Sequence, residues 1–255
     1  MVRFEGMTVL ITGAAGGFGL KLAQRFAAEG AALVLSDLDA GRLDAAAAGL
    51  DAQVATLAGD VADEALSRDL VALALSRFGR LDVAVNNAGI VHDFMKLPQI
   101  PSDLARRVFE VDLLGVFFAM KHQIPAMEAQ FREKKLRGTI VNVASVAGIA
   151  GAPKLGVYAA AKHGVVGLTR SAAAECATKG VRVNAVCPSF ARTAMVTDML
   201  GDDNAAGEAE LTRGVPMRRL AETDEIAEVV LFAADPKNSF MTGQTLAADG
   251  GITAI

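Results

Sequence analysis

The chain has 255 residues, 52% hydrophobic and 21% charged, with 25 Lys plus Arg against 29 Asp plus Glu and a formal net charge of -4. That length holds a substantial core, the apolar fraction excludes a disordered chain, and the mildly acidic balance argues against nucleic acid as a partner. Two cysteines, Cys176 and Cys187, are too few for a disulfide framework and read as small buried residues. The segment Met1 to Thr12 lacks a signal peptide's charged start and cleavage site. The apolar runs are short and broken by Gly, Asp or Lys, so no membrane span is expected and the default is a soluble cytoplasmic protein. There are 12 Phe, no Trp and a single tyrosine, Tyr158.

In chain order, Met7–Thr12 is a short apolar run ending at a glycine cluster, and Gly17–Glu29 carries Leu20, Ala23, Phe26 and Ala27 at helical spacing before Gly30 ends it. Leu33–Leu35 reads as a strand stopping at Ser36-Asp37, Ala40–Gly49 as an Ala-rich helix, Val54–Leu57 as a strand and Ala65–Phe78 as an amphipathic helix. Leu81–Val85 is a fourth strand. One helical tract is predicted over Ser102–Lys135, with Ser102 as cap and Pro125 as kink. Thr139–Val143 is β-branched and apolar, Leu155–Lys179 is helical, and Val181–Val186 is another strand. Phe190–Gly214 has no clear periodicity, Thr223–Ala234 is a capped helix, and Gln244–Ala248 is a final strand.

Strands alternating with helices imply parallel pairing, because parallel strands need crossover connections. Right-handed crossovers place helices on both faces, which fits near-continuous apolar strands such as Val83-Ala84-Val85. The expected fold is α/β: a single Rossmann-type doubly wound parallel sheet with helices on both faces, as one domain over residues 1–255.

The first strand ends in Thr12-Gly13-Ala14-Ala15-Gly16-Gly17-Phe18-Gly19 and runs into a helix. Such a turn lets the backbone approach a pyrophosphate, and the helix N-terminus offers N–H groups and a favourable dipole. Asp37 closes the second strand, 18 positions after Gly19. Its carboxylate suits the ribose hydroxyls of NAD and would repel the 2′-phosphate of NADP, with no Lys or Arg in the glycine turn or at Leu38 to offset it. NAD is therefore the expected cofactor; the alternative role for Asp37 is a turn residue capping the next helix.

The chain resembles the short-chain dehydrogenase/reductase family over nearly all of its length. The glycine turn has that family's Thr-Gly-x-x-x-Gly-x-Gly form, Asn86-Asn87-Ala88-Gly89 ends the fourth strand, Ser145 follows the fifth, and Tyr158-Ala159-Ala160-Ala161-Lys162 is its Tyr-x-x-x-Lys. The resemblance implies a Ser145, Tyr158, Lys162 catalytic set, with Lys162 also holding the nicotinamide ribose. It further implies adenine contacts from Asp60-Val61 and nicotinamide contacts from Pro188, Phe190 and Thr193, with Ser189 where the family usually has glycine. In Val111-Asp112-Leu113-Leu114-Gly115, Asp112 takes the place of the family's usual Asn, the fourth catalytic residue. A carboxylate there accepts hydrogen bonds but cannot donate them when ionised. Paired with Lys162 it would alter the local charge, so activity is expected to survive with a shifted pH profile.

The Tyr158–Lys162 chemistry also follows from spacing. Four residues apart on a helix, the two side chains share a face. An ammonium at about 4–7 Å stabilises a phenolate by roughly 2–4 kcal/mol at an effective dielectric near 20. That lowers the phenol by about two or three pKa units, toward the range where it serves as base for alcohol oxidation or acid for ketone reduction. Ser145 can hydrogen-bond the substrate oxygen.

Ile90–Leu97, Val146–Leu155 and Phe190–Gly214 are expected to line the crevice beyond the strand ends, the last as a substrate loop. Met195, Val196, Met199, Leu200, Val146, Ile149 and Leu155 make that crevice apolar, and no basic residue is clearly aimed at the reacting centre, although Lys154 and Arg192 are near in sequence. A small, largely apolar secondary alcohol or ketone is the expected substrate. His92, His122 and His163 are scattered without metal-ligand spacing, so no metal is expected. The basic run Arg132–Arg137 suits a helix C-terminus or, alternatively, an acidic carrier protein. Family resemblance pairs the Ser102–Lys135 helix and the one bearing Ala172-Ala173-Ala174 between subunits, as a homotetramer. The leading expectation is an NAD-dependent alcohol dehydrogenase or ketoreductase; the alternatives are a 3-oxoacyl-carrier-protein reductase and a catalytically idle nucleotide-binding regulator.

Overall fold

A computed structural model describes residues 2–197 and 204–255. β1 (Thr8–Thr12) passes through the glycine turn into α1 (Gly17–Ala28), followed by β2 (Ala32–Ser36), α2 (Ala40–Ala48), β3 (Val54–Thr56), α3 (Glu64–Phe78) and β4 (Val83–Asn86). α4 (Ser102–Phe109), a π-helical turn (Glu110–Leu114) and α5 (Gly115–Lys134) lead to β5 (Gly138–Val143). α6 (Gly156–Cys176), β6 (Val181–Pro188), the short α7 (Ala194–Thr197), α8 (Asn204–Thr212), α9 (Thr223–Ala234) and β7 (Thr245–Ala248) complete the order.

The described strands form one parallel sheet in the order β3-β2-β1-β4-β5-β6-β7. This is the expected doubly wound arrangement. Alternate residues of each strand feed opposite cores, because side chains alternate across a strand. Val9, Ile11, Val83 and Val85 pack with Leu22 and Phe26 of α1 and Val230 and Leu231 of α9. Leu10 and Ala84 pack on the other side with Leu70 of α3, Met120 of α5 and Val166 of α6. Strand order reverses between β1 and β4, and ligands of open parallel sheets sit in the crevice at such a point.

Three local expectations need correction. The predicted Ser102–Lys135 helix is not continuous: its α-helical bonding breaks at Glu110–Leu114, whereas Pro125 lies within α5. The break is explained by side-chain placement, since the π turn lets Asp112 reach the amide of Ile90 and the ammonium of Lys162. Ser102 is the first residue of α4, preceded by Pro101, and makes no side-chain cap. Finally, the segment without periodicity contains α7 and α8. Helix α8 is held by an ion pair from Glu208 to Arg192 and by the buried Thr212, not by an apolar stripe, so period analysis could not see it.

Candidate active site

The turn after β1 is shaped by close approach. Gly13 has φ +66°, and a Cβ there would stand 2.9 Å from the Ala88 Cα. A Cβ at Gly19 would collide with the Gly13 carbonyl oxygen. Asn87 locks this turn to β4, donating from Nδ2 to the carbonyls of Thr12 (2.9 Å) and Gly13 (3.2 Å). The amides of Asn87 and Ala88 both donate to the Thr12 hydroxyl at 3.1 Å. Asp37 accepts from the Ala15 amide at 2.8 Å, so it also holds the turn in place.

A cleft of about 380 Å³ opens above this turn. Every cofactor residue predicted between Gly13 and Gly89 lines it except the buried Gly19, and Thr193 joins them from the far side. Pro188 is buried at the end of β6, and Phe190 lines a neighbouring pocket with Ser189. Its glycine-lined floor suits the pyrophosphate of a dinucleotide. The first turn of α1 has neither a capping side chain nor an acidic residue, leaving its N-terminal N–H groups available to a pyrophosphate.

Two basic residues in the cleft escaped the sequence reading. Arg42 reaches from α2 to Gly16, where a Cβ would meet its guanidinium at 2.8 Å. Arg107 of α4 pairs with Asp60 at 2.7 Å. The signal for Arg42 was Asp39: its side chain caps α2 by accepting from the Arg42 amide, which puts Arg42 on the turn facing the cleft. Although no Lys or Arg lies in the glycine turn or at Leu38, Arg42 thus brings a cation into the cleft that Asp37 lines.

Beside the cleft, Ser145, Tyr158, Lys162 and Asp112 converge. Ser145 follows β5, and its Oγ accepts from the Ala147 amide at 3.1 Å; its hydroxyl also favours the Tyr158 phenolate, as a smaller influence than burial or Lys162. On α6, Lys162 Nζ lies 5.5 Å from the centre of the Tyr158 ring and donates to the Val143 carbonyl at 3.3 Å. Lys162 is 3% exposed and Asp112 is wholly buried, 3.4 Å apart as an ion pair. Burial pushes the Asp112 carboxyl above the usual carboxylate range, against the pull of Lys162. Burial alone would lower the Lys162 ammonium, but Asp112 and Tyr158 together hold it above its ordinary value.

The half-buried Tyr158 departs from expectation. Burial pushes its phenol up; Lys162 pulls it down but Asp112 pushes it up again. Lysine proximity is thus not the dominant influence, because the carboxylate beside the ammonium cancels part of its field and the pocket disfavours phenolate.

Around the crevice, the Met95 amide donates to the Lys154 carbonyl at 3.0 Å, tying the Ile90–Leu97 and Val146–Leu155 segments together. Val196 and Leu155 are buried. Met199 and Leu200, expected in the substrate loop, lie outside the described residues, as do Gly201, Asp202 and Asp203. Arg192 is paired with Glu208 and Glu222. His122 meets Glu64, and the Nδ1 atoms of His92 and His163 meet backbone carbonyls.

The family model described as Enoyl-(Acyl carrier protein) reductase matches residues 13–253. The chain belongs to the short-chain dehydrogenase/reductase family. This short-chain dehydrogenase/reductase is 38% identical over 255 residues to 2,5-dichloro-2,5-cyclohexadiene-1,4-diol dehydrogenase of Sphingobium indicum, covering 100% of both chains. It is 37% identical to cyclohexanol dehydrogenase of Acinetobacter sp., over 99% of this chain and 97% of that one. The crystal structure of 3-ketoacyl-(acyl-carrier-protein) reductase from Brucella melitensis complexed with NADH has a TM-score of 0.91 and 33% identity, covering 98% of this chain and 99% of that one. As a member of this family the chain is an oxidoreductase that takes a nicotinamide cofactor. Among the described residues, no helix is long and apolar enough to cross a membrane.

Proposed function

We propose that this oxidoreductase interconverts a small, largely apolar cyclic secondary alcohol and its ketone with NAD as cofactor, using Ser145, Tyr158 and Lys162. The observation that carries this reading is Lys162 Nζ at 5.5 Å from the Tyr158 ring, beside a glycine-lined cleft. When bound, the nicotinamide would supply the hydride acceptor or donor. In the oxidising direction the Tyr158 phenolate takes the hydroxyl proton as the carbinol C–H bond breaks and its electron pair leaves as hydride. In the reducing direction the Tyr158 phenol gives that proton to the forming alkoxide. The Ser145 hydroxyl donates to the substrate oxygen, stabilising the charge that develops on it, and Lys162 stabilises the phenolate. Phe190 and Thr193 are assigned to the nicotinamide end and Asp60-Val61 to the adenine end, with residues 190–214 as the substrate loop of one catalytic unit.

Preference for NAD rests on Asp37, whose carboxylate can accept the ribose hydroxyls and oppose a 2′-phosphate. The NADH-bound relative supports it; Arg42 weakens it by offering a nearby cation. The cyclic substrate class is carried over from the names of the two alcohol dehydrogenases. The acyl-carrier reading is favoured by the name of the NADH-bound relative, but Arg192, the basic residue at the loop's base, is committed to Glu208 and Glu222. Assembly as a homotetramer through α5 and α6, in the cytoplasm, is part of the proposal; the exposed Phe117 of α5 and Leu114 of the π turn before it, each 41% exposed, support the assembly. Initial rates with a panel of cyclic secondary alcohols, run in parallel with NAD and NADP, test the reading. Turnover with NAD is expected; consistent preference for NADP, or turnover only of acyl-carrier substrates, would overturn it.

A further inference from the structure

Asp112 is a wholly buried carboxylate in the π turn of a chain whose reading as an alcohol dehydrogenase does not require a charge there. Its two oxygens face different partners: Oδ1 accepts from the Ile90 amide at 2.8 Å, and Oδ2 stands 3.4 Å from Lys162 Nζ. Gly89 leaves the junction open. A Cβ there would come within 3.2 Å of Lys162 Nζ and 3.5 Å of both Asp112 oxygens.

We propose that Asp112 is a positioning residue acting on Tyr158 through Lys162: a fixed counter-charge that holds the ammonium and cancels part of its field at the phenol, setting the acid/base site to a higher pH than a neutral amide at position 112 would. The proposal rests on Tyr158 being the acid/base group. The field of an isolated ammonium falls as the inverse of distance, but with a carboxylate beside it the phenol feels a weaker dipolar field. Among the described residues, the main charged and titratable groups acting on this pair come from three elements. Tyr158 and Lys162 come from α6, Ser145 from the end of β5, and Asp112 from the π turn. Cys187, from β6, has a thiol pushed up to about 11 by burial and is uncharged at neutral pH.

The composition supplies the test. With one tyrosine and no tryptophan, phenolate absorbance at about 295 nm reports Tyr158 alone. In cofactor-free protein, Asp112→Asn is expected to lower the phenolate midpoint by about one to two pH units, and the pH–rate profile should move the same way. Asn keeps an oxygen to accept from the Ile90 amide, so a role confined to holding that loop predicts no change. A folded Asp112→Asn protein whose midpoint stays put or rises overturns the counter-charge. If that variant does not fold, Asp112→Ser is read by the same criterion, since it is neutral and its hydroxyl can still accept. The underlying assignment fails separately: full activity in Tyr158→Phe would remove Tyr158 from catalysis whatever the titrations show.

Discussion

Arg192 grips Glu208 with both ends of its guanidinium, Nη1 to Oε2 at 2.9 Å and Nη2 to Oε1 at 2.7 Å. Its Nε also bonds Glu222 Oε1 at 2.9 Å, so one side chain fastens α8 to the residue preceding α9. The contact is exposed and screened by solvent, so its contribution to global stability is small. Its effect should be local. Arg192→Gln is expected to leave the melting temperature within about 2 °C of the parent, speed limited proteolysis near α8, and raise KM for the alcohol more than it changes kcat. An unchanged cleavage rate would show that the clamp does not restrain the segment.

The Asp37–Arg42 arrangement makes cofactor choice a competition between two charges in one cleft. Asp37→Ser removes the repulsion and keeps Arg42, so NADP use should improve by about tenfold or more relative to NAD, a change of roughly 1.4 kcal/mol. Adding Arg42→Ala should reverse most of that gain. Measured kcat/KM ratios for the two cofactors decide it; if Asp37→Ser alone leaves the ratio untouched, Asp37 serves only to hold the Ala15 amide.

Loss of the acid/base group should be the largest kinetic effect. Tyr158→Phe is expected to reduce kcat/KM by about 10²–10⁴. Ser145→Ala removes one donor to the developing oxyanion and should lower kcat by about 10²–10³. Both should keep the parent's circular dichroism, since neither side chain fills the core clusters between sheet and helices. Parent-like steady-state rates in either variant would contradict the assigned role.

Acid stability should depend on Glu225. Hydrogen bonds from Arg219, at 2.6 and 2.7 Å, and from the Glu222 amide, at 2.8 Å, hold its carboxyl down at about 2. A carboxyl lowered in the folded state stabilises it fully above the unfolded value of about 4.5, and this contribution is lost as pH falls toward about 2. Glu225→Gln should therefore melt lower than the parent at pH 7, by about 1–3 °C because the pair is exposed, and the two should converge near pH 2. A gap that persists at pH 2 would assign the effect to the shape of the cap and not to charge.

Much of the fold was legible in the residues alone. Strand-length apolar runs separated by helical repeats dictate parallel pairing, because only crossover connections join such strands; the glycine turn, Asp37, Tyr158 and Lys162 stand at the strand ends and helix face that their spacing predicts, and Ser145 follows β5 as the family resemblance implies. Local periodicity and backbone sterics act over a few residues, so they survive in a one-dimensional reading. What the tertiary structure decided depends on groups distant in sequence. Arg42 enters the cleft only because α2 packs beside the turn at Gly16, and α8, with no apolar stripe of its own, is tied through Glu208 to Arg192. The π turn forms where it brings Asp112 against Ile90 and Lys162. The lone tyrosine shows the division most clearly: its place four residues before Lys162 was readable from the sequence, but the direction of its pKa shift was not. That direction follows from burial and from a carboxylate 46 positions away in sequence, and both exist only once the chain has folded.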